Sequence, residues 1–97
     1  MRTYVAGTNR PEVRGKVHAL KPGAPLRLLR EPHNDYDARA VSVWAEDDTR
    51  LGCVPRVDNQ ALANLMDAGL APRAIVSGVR PDPLRPELRV EITLPLA

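Results

Sequence analysis

Short stretches of alternating apolar and polar residues recur along the chain, and a period of two is typical of β-strands with one buried face. The clearest spans residues 88–94, where four aliphatic residues alternate with Arg89, Glu91 and Thr93. The same pattern predicts further strands over residues 2–6, 25–30, 41–44, 50–55 and 74–79. Ten prolines in 97 residues argue against long helices, because proline interrupts the helical hydrogen-bond ladder.

The two central strands, 41–44 and 50–55, are expected to form a hairpin. The acidic run at residues 46–48 supplies the turn between them. Trp44 faces away from the valines of its strand and gives the opposite face a large aromatic side chain. Gly52 interrupts the returning strand, where a bulge or the close approach of another backbone segment is expected.

One helix is predicted over residues 59–68, because Leu62, Leu65 and Met66 fall on one face of a 3.6-residue period. Its outward positions 60, 64 and 67 hold Gln, Asn and Asp. Since none of these is a cation that could meet a phosphate, we do not expect a DNA-recognition helix.

Capping residues set the limits of this helix, with Asp58 or Asn59 as the N-cap and Gly69 as the C-cap. Residues 12–20 fit either a short helix or a strand. Together these elements predict a mostly β fold: a small, modified barrel of the OB-fold-like type, or a related β-roll, with about six strands and one α-helix.

Composition sets the class of protein. Hydrophobic residues make up 43% of the chain and charged residues 27%, which are ordinary globular values. No apolar run approaches the roughly 18 residues of a membrane helix, the start of the chain lacks the apolar stretch of a signal peptide, and Cys53 has no partner for a disulfide. We therefore expect one soluble, cytoplasmic domain over residues 1–97 that does not contact a membrane.

Charge is unevenly distributed, although the net charge is only +2. Residues 1–30 carry seven cations and one acid, whereas residues 31–48 carry six acids and one arginine. Twelve of the fourteen cations are arginine, whose planar guanidinium suits contacts with phosphates and bases. A GC-rich genome, which favours arginine codons over lysine codons, would explain the same bias.

Catalytic and metal-binding chemistry is not indicated. His18, His33 and Cys53 are separated and show no metal-ligand spacing, and no glycine-rich phosphate loop occurs. Cys53 lies within a hydrophobic strand, which favours a buried structural thiol over a nucleophile. His33 fits a solvated turn residue better than an acid–base pair with its acidic neighbours. The chain is therefore not expected to be an enzyme or to hold a metal or cofactor.

A dense polar segment connects the strands 25–30 and 41–44. Within it, Tyr36 offers a ring for base stacking, Asp37 an acceptor for a sugar hydroxyl, and Asn34 both donors and acceptors. Alternatively, the segment is an Asx-type turn whose polar side chains satisfy their own backbone, with Tyr36 covering the edge of the core.

A set of spaced elements in this region resembles the HIRAN domain family. They are Arg30-Glu31-Pro32, Asn34, Tyr36-Asp37, Ala40-Val41, Val43, Leu51-Gly52 and Val54-Pro55-Arg56, with the Pro22-Gly23 turn upstream and the segment Leu62–Gly69 downstream. The resemblance covers most of the chain and implies a modified OB-fold barrel that captures the 3′ end of single-stranded DNA.

The same resemblance assigns roles to individual residues. Tyr36 would stack on the terminal base, Asp37 would accept a hydrogen bond from the 3′-hydroxyl, and Asn34 would help to hold the terminal nucleotide. Arg56 would bind a nearby phosphate. Where the eukaryotic members have an Arg-aromatic pair, residues 9–15 contain Arg10 and Arg14 but no aromatic.

Two functions follow as hypotheses. The first is a non-catalytic module that binds single-stranded DNA, with a preference for 3′-hydroxyl ends, in DNA repair or replication-fork processing, alongside a helicase or nuclease. The arginines of residues 10–30, Arg10 and Arg14 among them, would then form the rim of the site with Arg56. The second is a protein-interaction module with little or no DNA binding, for which Trp44 is a candidate anchor. Arginines gathered beside Tyr36 would favour nucleic acid, whereas scattered arginines would favour a protein.

Overall fold

The computed structural model describes residues 1–94. Its elements are β1 (Arg2–Tyr4), α1 (Pro11–Ala19), β2 (Pro25–Glu31), β3 (Ala40–Ala45), β4 (Arg50–Cys53), α2 (Arg56–Asp67), β5 (Arg73–Arg80) and β6 (Glu87–Thr93). The strands form one antiparallel sheet in the order β1-β6-β5-β2-β3-β4. The mostly β fold and its six strands are therefore confirmed, with strand limits close to those that the alternation predicts.

The segment that fitted either a helix or a strand forms α1, so the expectation of a single helix is wrong. Pro11 occupies the first turn, where its fixed φ suits a helix and its missing N–H costs nothing. Val13 and Val17 lie four residues apart and are both fully buried. Two buried residues in a helix of nine give a weak periodic signal, so the sequence pattern alone does not distinguish a helix from a strand here.

Helix α2 begins three residues earlier than predicted, with Pro55 at the N-cap position and no side-chain cap. Asp58 and Asn59 therefore do not cap the helix. Asp58 instead accepts a hydrogen bond from Thr3 Oγ1 at 2.6 Å, which ties the helix to β1. Gly69 follows the last turn with φ +93°, in agreement with its predicted role in ending the helix.

The core is enclosed by the curled sheet and the two helices. Leu62 of α2 and the two valines of α1 pack against residues of the sheet that are at most 1% exposed: Val41, Val43, Leu51, Val76, Leu88 and Val90. No helix within residues 1–94 has the length and apolar character needed to span a membrane.

Closure of the sheet is partial. Its edge strands, β1 and β4, are joined where Ala6 and Cys53 form an isolated bridge beyond the end of β1. The Ala6 N–H donates to the Cys53 carbonyl at 2.8 Å, and the Cys53 N–H donates to the Ala6 carbonyl at 2.9 Å. The structure is thus barrel-like in the loose sense that one pair of hydrogen bonds joins its two edges.

Gly52 makes this bridge possible. A Cβ atom at this position would overlap the Ala6 carbonyl oxygen and lie 2.8 Å from Cγ1 of Val5. The close backbone approach expected from the sequence is therefore confirmed, and the approaching segment is the one that follows β1.

We expect Gly52→Ala to lower the free energy of unfolding, since overpacking of a tight contact costs about 1–3 kcal/mol and the bridge must also shift. Gly15→Ala is the matched control, because Gly15 lies exposed in the middle of α1 with open space at its Cβ position. That change should stabilise the protein by about 0.5–1 kcal/mol. Urea unfolding measures the free energy of unfolding of both variants. An equal change in the two would contradict the role given to Gly52.

Candidate functional site

The turn between β2 and β3 is built around one side chain. Asn34 Oδ1 accepts hydrogen bonds from the backbone N–H groups of Tyr36 at 2.9 Å and Asp37 at 3.1 Å. Its Nδ2 donates to Oε1 of Glu31 at 3.2 Å. The alternative interpretation of this segment as an Asx-type turn thus describes the contacts of Asn34, whose direct role in holding a nucleotide stays a prediction.

Tyr36 projects from this turn and is 87% exposed. Its backbone is held on both sides, because its N–H binds Asn34 and its carbonyl accepts a hydrogen bond of 2.7 Å from a terminal nitrogen of Arg56. The ring therefore does not cover the core edge. A fixed backbone that presents a free aromatic face suits stacking on a planar ligand.

The Asp37 carboxylate is held by several donors. Oδ1 accepts from the Arg39 backbone N–H at 2.9 Å, and Oδ2 accepts from Nδ2 of Asn59 at 2.8 Å. Arg56 Nε lies 3.5 Å from Oδ2. The bond from Arg39 and then that from Asn59, with the nearby Arg56 charge, hold the pKa of Asp37 below its ordinary value. Asp37 is therefore an anionic acceptor at neutral pH.

Asn59 contributes to the site in a way that the sequence pattern did not indicate. It is only 4% exposed and lies inside the first turns of α2, beneath the Asp37 carboxylate. The sequence predicts Asn59 as a candidate N-cap, which places it at the end of the helix. Its real contact joins two segments 22 residues apart, which no local pattern encodes.

Three adjoining depressions surround this turn. The end depression, about 390 Å³, is lined by residues that include Ala6, Tyr36, Asp37, Arg50, Cys53 and Arg56. The Arg39 depression, about 320 Å³, shares Tyr36, Asp37 and Arg56 with it and adds Ala38, Arg39 and Gln60. The Arg10 depression, about 290 Å³, shares Ala6, Arg50 and Cys53 with it and adds Gly7, Asn9 and Arg10.

Positive charge is concentrated in these depressions. Among residues 1–94, their lining includes four arginines, Arg10, Arg39, Arg50 and Arg56, and one carboxylate, Asp37. A larger depression beside β1 and β6 shows the opposite balance, with two arginines and three carboxylates. The arginines of the chain are therefore not evenly scattered, and an anionic ligand is favoured beside Tyr36.

Only part of the predicted rim of arginines lies at the site. Arg10 lines the site, where its guanidinium lies 3.5 Å from the Arg50 carbonyl and 3.8 Å from Glu12. Arg14 instead points to the loop between β5 and β6, with Nη1 3.5 Å from the carbonyl of Pro83. The structure thus brings Asn34, Tyr36, Asp37, Arg56 and Arg10 together but not Arg14.

Arg50 is a further residue that the sequence analysis did not select. Its Nη2 donates to Oε1 of Glu31 and to Sγ of Cys53, both at 3.1 Å. Cys53 is only half-buried and lines the site, so its assignment as a buried thiol is wrong. Within residues 1–94, no three His, Cys, Asp or Glu side chains are grouped as metal ligands.

Glu31 joins the turn to β4, because its Oε1 accepts hydrogen bonds from both Asn34 and Arg50. Burial raises the pKa of Glu31, but hydrogen bonds from Arg50, Ser42 and Asn34 outweigh it, so the pKa lies below its ordinary value. The bound form is the carboxylate, and it stabilises the folded protein at neutral pH.

Replacing Asn59 with Ala should raise the pKa of Asp37, because the carboxylate loses one of its hydrogen-bond donors. An NMR titration of the Asp37 side-chain carboxyl carbon measures the change. Asn64→Ala is the control, since Asn64 lies exposed on the same helix. An Asp37 titration that is identical in both variants would show that the Asn59 contact does not form in solution.

The stability of the protein should depend on pH through Glu31. Since the folded pKa of Glu31 is lowered, its contribution to stability is complete above the ordinary value of 4.5 and disappears as the pH falls through the folded pKa. Glu31→Gln should therefore be less stable than the parent at pH 7, and the difference should narrow below pH 4.5. Urea unfolding across this range tests the slope, with Glu46→Gln on the exposed β3–β4 turn as the control.

Comparison with known proteins adds three findings. A family model described as the HIRAN domain matches residues 1–97. A crystal structure of a protein from Lactobacillus plantarum is similar with a TM-score of 0.80 and 31% identity, over 92% of this chain and 87% of that chain. The HIRAN domain of human HLTF is similar with a TM-score of 0.76 and 19% identity, over 97% of this chain and 73% of that one. The comparison with curated protein sequences gave no significant match.

Proposed function

The chain belongs to the HIRAN domain family, whose members are nucleic-acid-binding modules, and from this membership we propose that it binds single-stranded DNA, without catalysis, at ends that carry a 3′-hydroxyl. The observation that carries the proposal is the concentration of four arginines around the exposed ring of Tyr36, where Asp37 is the one carboxylate among the described lining residues. Stacking and phosphate attraction are the two forces that single-strand binding needs.

The terminal base stacks on Tyr36. Stacking of one base on an aromatic side chain contributes about 1–3 kcal/mol and tolerates any base. Tyr36 is the one aromatic residue that residues 1–94 contribute to the lining of the three depressions, so the opposite wall of a base pocket has to come from other groups. Arg50 offers a guanidinium plane on the same depression, and such planes stack on unpaired bases.

Asp37 recognises the end. An ionised carboxylate only accepts hydrogen bonds, so it binds a hydroxyl donor and repels a phosphate. Its donors, the Arg39 N–H and the Asn59 amide, fix the orientation of the two oxygens and leave lone pairs for a ligand. Arg56, with its side chain 76% exposed, supplies a cation for the adjoining phosphate. Arg10, beyond Cys53, adds long-range attraction for the phosphate backbone without contacting a particular phosphate.

Membership in the family also supports a place in DNA repair or replication-fork processing, with a helicase or nuclease as the protein that uses the bound end. In that arrangement the chain is a recognition module, and the chemical step belongs to the partner.

Fluorescence anisotropy with a short labelled single strand tests the proposal. A 3′-hydroxyl end should bind more tightly than a 3′-phosphate end, and Tyr36→Ala should weaken binding of the hydroxyl end by about tenfold, the equivalent of 1.4 kcal/mol. Tyr4→Ala is the matched control, because Tyr4 is also exposed but lies outside the three depressions. Equal affinity for both ends would refute end recognition.

Protein binding is the second candidate function, and a specific surface favours it. Trp44 lines an open groove of about 740 Å³ between the beginnings of β2 and β5, where Leu29 is 52% and Ile75 42% exposed. Exposed apolar surface around a tryptophan is typical of protein contacts. Absence of DNA binding at low salt, where phosphate attraction is strongest, would favour this function instead.

A further inference from the structure

The four arginines of the site differ in how far their charge is already neutralised. Arg50 forms an ion pair with Glu31 at 3.1 Å, Arg56 one with Asp37 at 3.5 Å, and Arg10 lies 3.8 Å from Glu12. Within residues 1–94, the Arg39 side chain has no ion pair. Because a paired guanidinium attracts a phosphate less strongly, the free positive charge lies on the Arg39 side of Tyr36.

The Arg39 depression has the chemistry of a phosphate site. Arg39 and Arg56 both line it, together with the exposed amide of Gln60. Asp37 is the one acid that the described part of the chain contributes to its lining, and the two carboxylate oxygens already accept hydrogen bonds from the Arg39 backbone and from Asn59. The lining therefore carries two arginines and one carboxylate, which leaves a net positive charge of one for an anionic ligand.

The Arg39 depression lies next to the site proposed for the 3′ end of the DNA strand. The Arg39 depression shares Tyr36, Asp37 and Arg56 with the end depression, so the two meet along the contact between Asp37 and Arg56. A terminal nucleotide on Tyr36 and Asp37 thus places its own 5′ phosphate within the reach of this boundary. The Arg10 depression lies on the opposite side, beyond Cys53.

We propose that the first internal phosphate of a bound strand is held between Arg39 and Arg56, and that the strand leaves the site over the Arg39 depression and not over Arg10. This inference rests on the proposed function and assigns Arg39 as a phosphate-binding residue. Guanidinium groups suit the role because each presents a planar set of donors to two phosphate oxygens.

A coupling experiment tests the contact. The probes are an all-phosphate single strand and the same strand with an uncharged methylphosphonate at the linkage nearest the 3′ end. The neutral linkage should weaken binding to the parent protein several-fold, and it should cost Arg39→Ala much less. The slope of log affinity against log salt should also fall by about 0.7 in Arg39→Ala, the value for one phosphate contact on a single strand.

Two matched variants control for charge alone. Arg73→Ala removes an exposed arginine that has no ion pair within residues 1–94 and lies outside the three depressions, so it should keep both the methylphosphonate effect and the parent slope. Arg10→Ala should keep the methylphosphonate effect as well. Loss of that effect in Arg10→Ala, with its retention in Arg39→Ala, would overturn the proposal and route the strand the other way.

The outcomes separate this inference from the proposed function. If Tyr36→Ala and a blocked 3′ end both weaken binding but Arg39 shows no coupling to the first linkage, only the assignment of Arg39 fails. If the parent protein is insensitive to Tyr36→Ala and to the 3′ block, the proposed function fails, whatever Arg39 does.

Discussion

The bridge between Ala6 and Cys53 is the contact on which the arrangement of the site depends. Two backbone hydrogen bonds join the opposite edges of the sheet there, and they require a residue without a Cβ at Gly52. Ala6 and Cys53 themselves line the end depression, so the two hydrogen bonds that join the sheet edges also position residues of the site. The bridge therefore helps to fix the segment that carries Arg10 relative to Tyr36.

A second constraint is polar and runs through Glu31. Its carboxylate accepts hydrogen bonds from Asn34, which shapes the turn, and from Arg50, which lies on the neighbouring strand. The turn therefore has a fixed position before any ligand arrives, and Tyr36 is exposed at little further entropic cost. Preorganisation of this kind favours binding, since the loop does not have to be ordered by the ligand.

The alternation of apolar and polar residues predicted the strands but not the contacts between distant segments. Alternation located all six strands, and the glycine within β4 indicated a close backbone approach, although the pattern did not show which segment approaches. The contact of Asn59 with Asp37 and the orientation of Arg14 toward Pro83 depend on segments 22 and 69 residues apart. Such contacts follow from the packing of α1, α2 and the β5–β6 loop, which a one-dimensional pattern does not contain.

The number of arginines in a segment is therefore a weaker guide to the phosphate-binding residues than the ion pairs that each arginine forms in the structure. The cationic first third of the chain suggested that Arg10 and Arg14 form the rim, yet Arg14 contacts a loop and Arg10 lies near Glu12. Arg39 lies within the acidic segment and would be discounted by any segment sum, although its side chain is the one of the four lining arginines without an ion pair in the part of the chain that the structure describes. Phosphate attraction depends on local, unneutralised charge, because screening limits each charge to about 10 Å at 0.1 M salt.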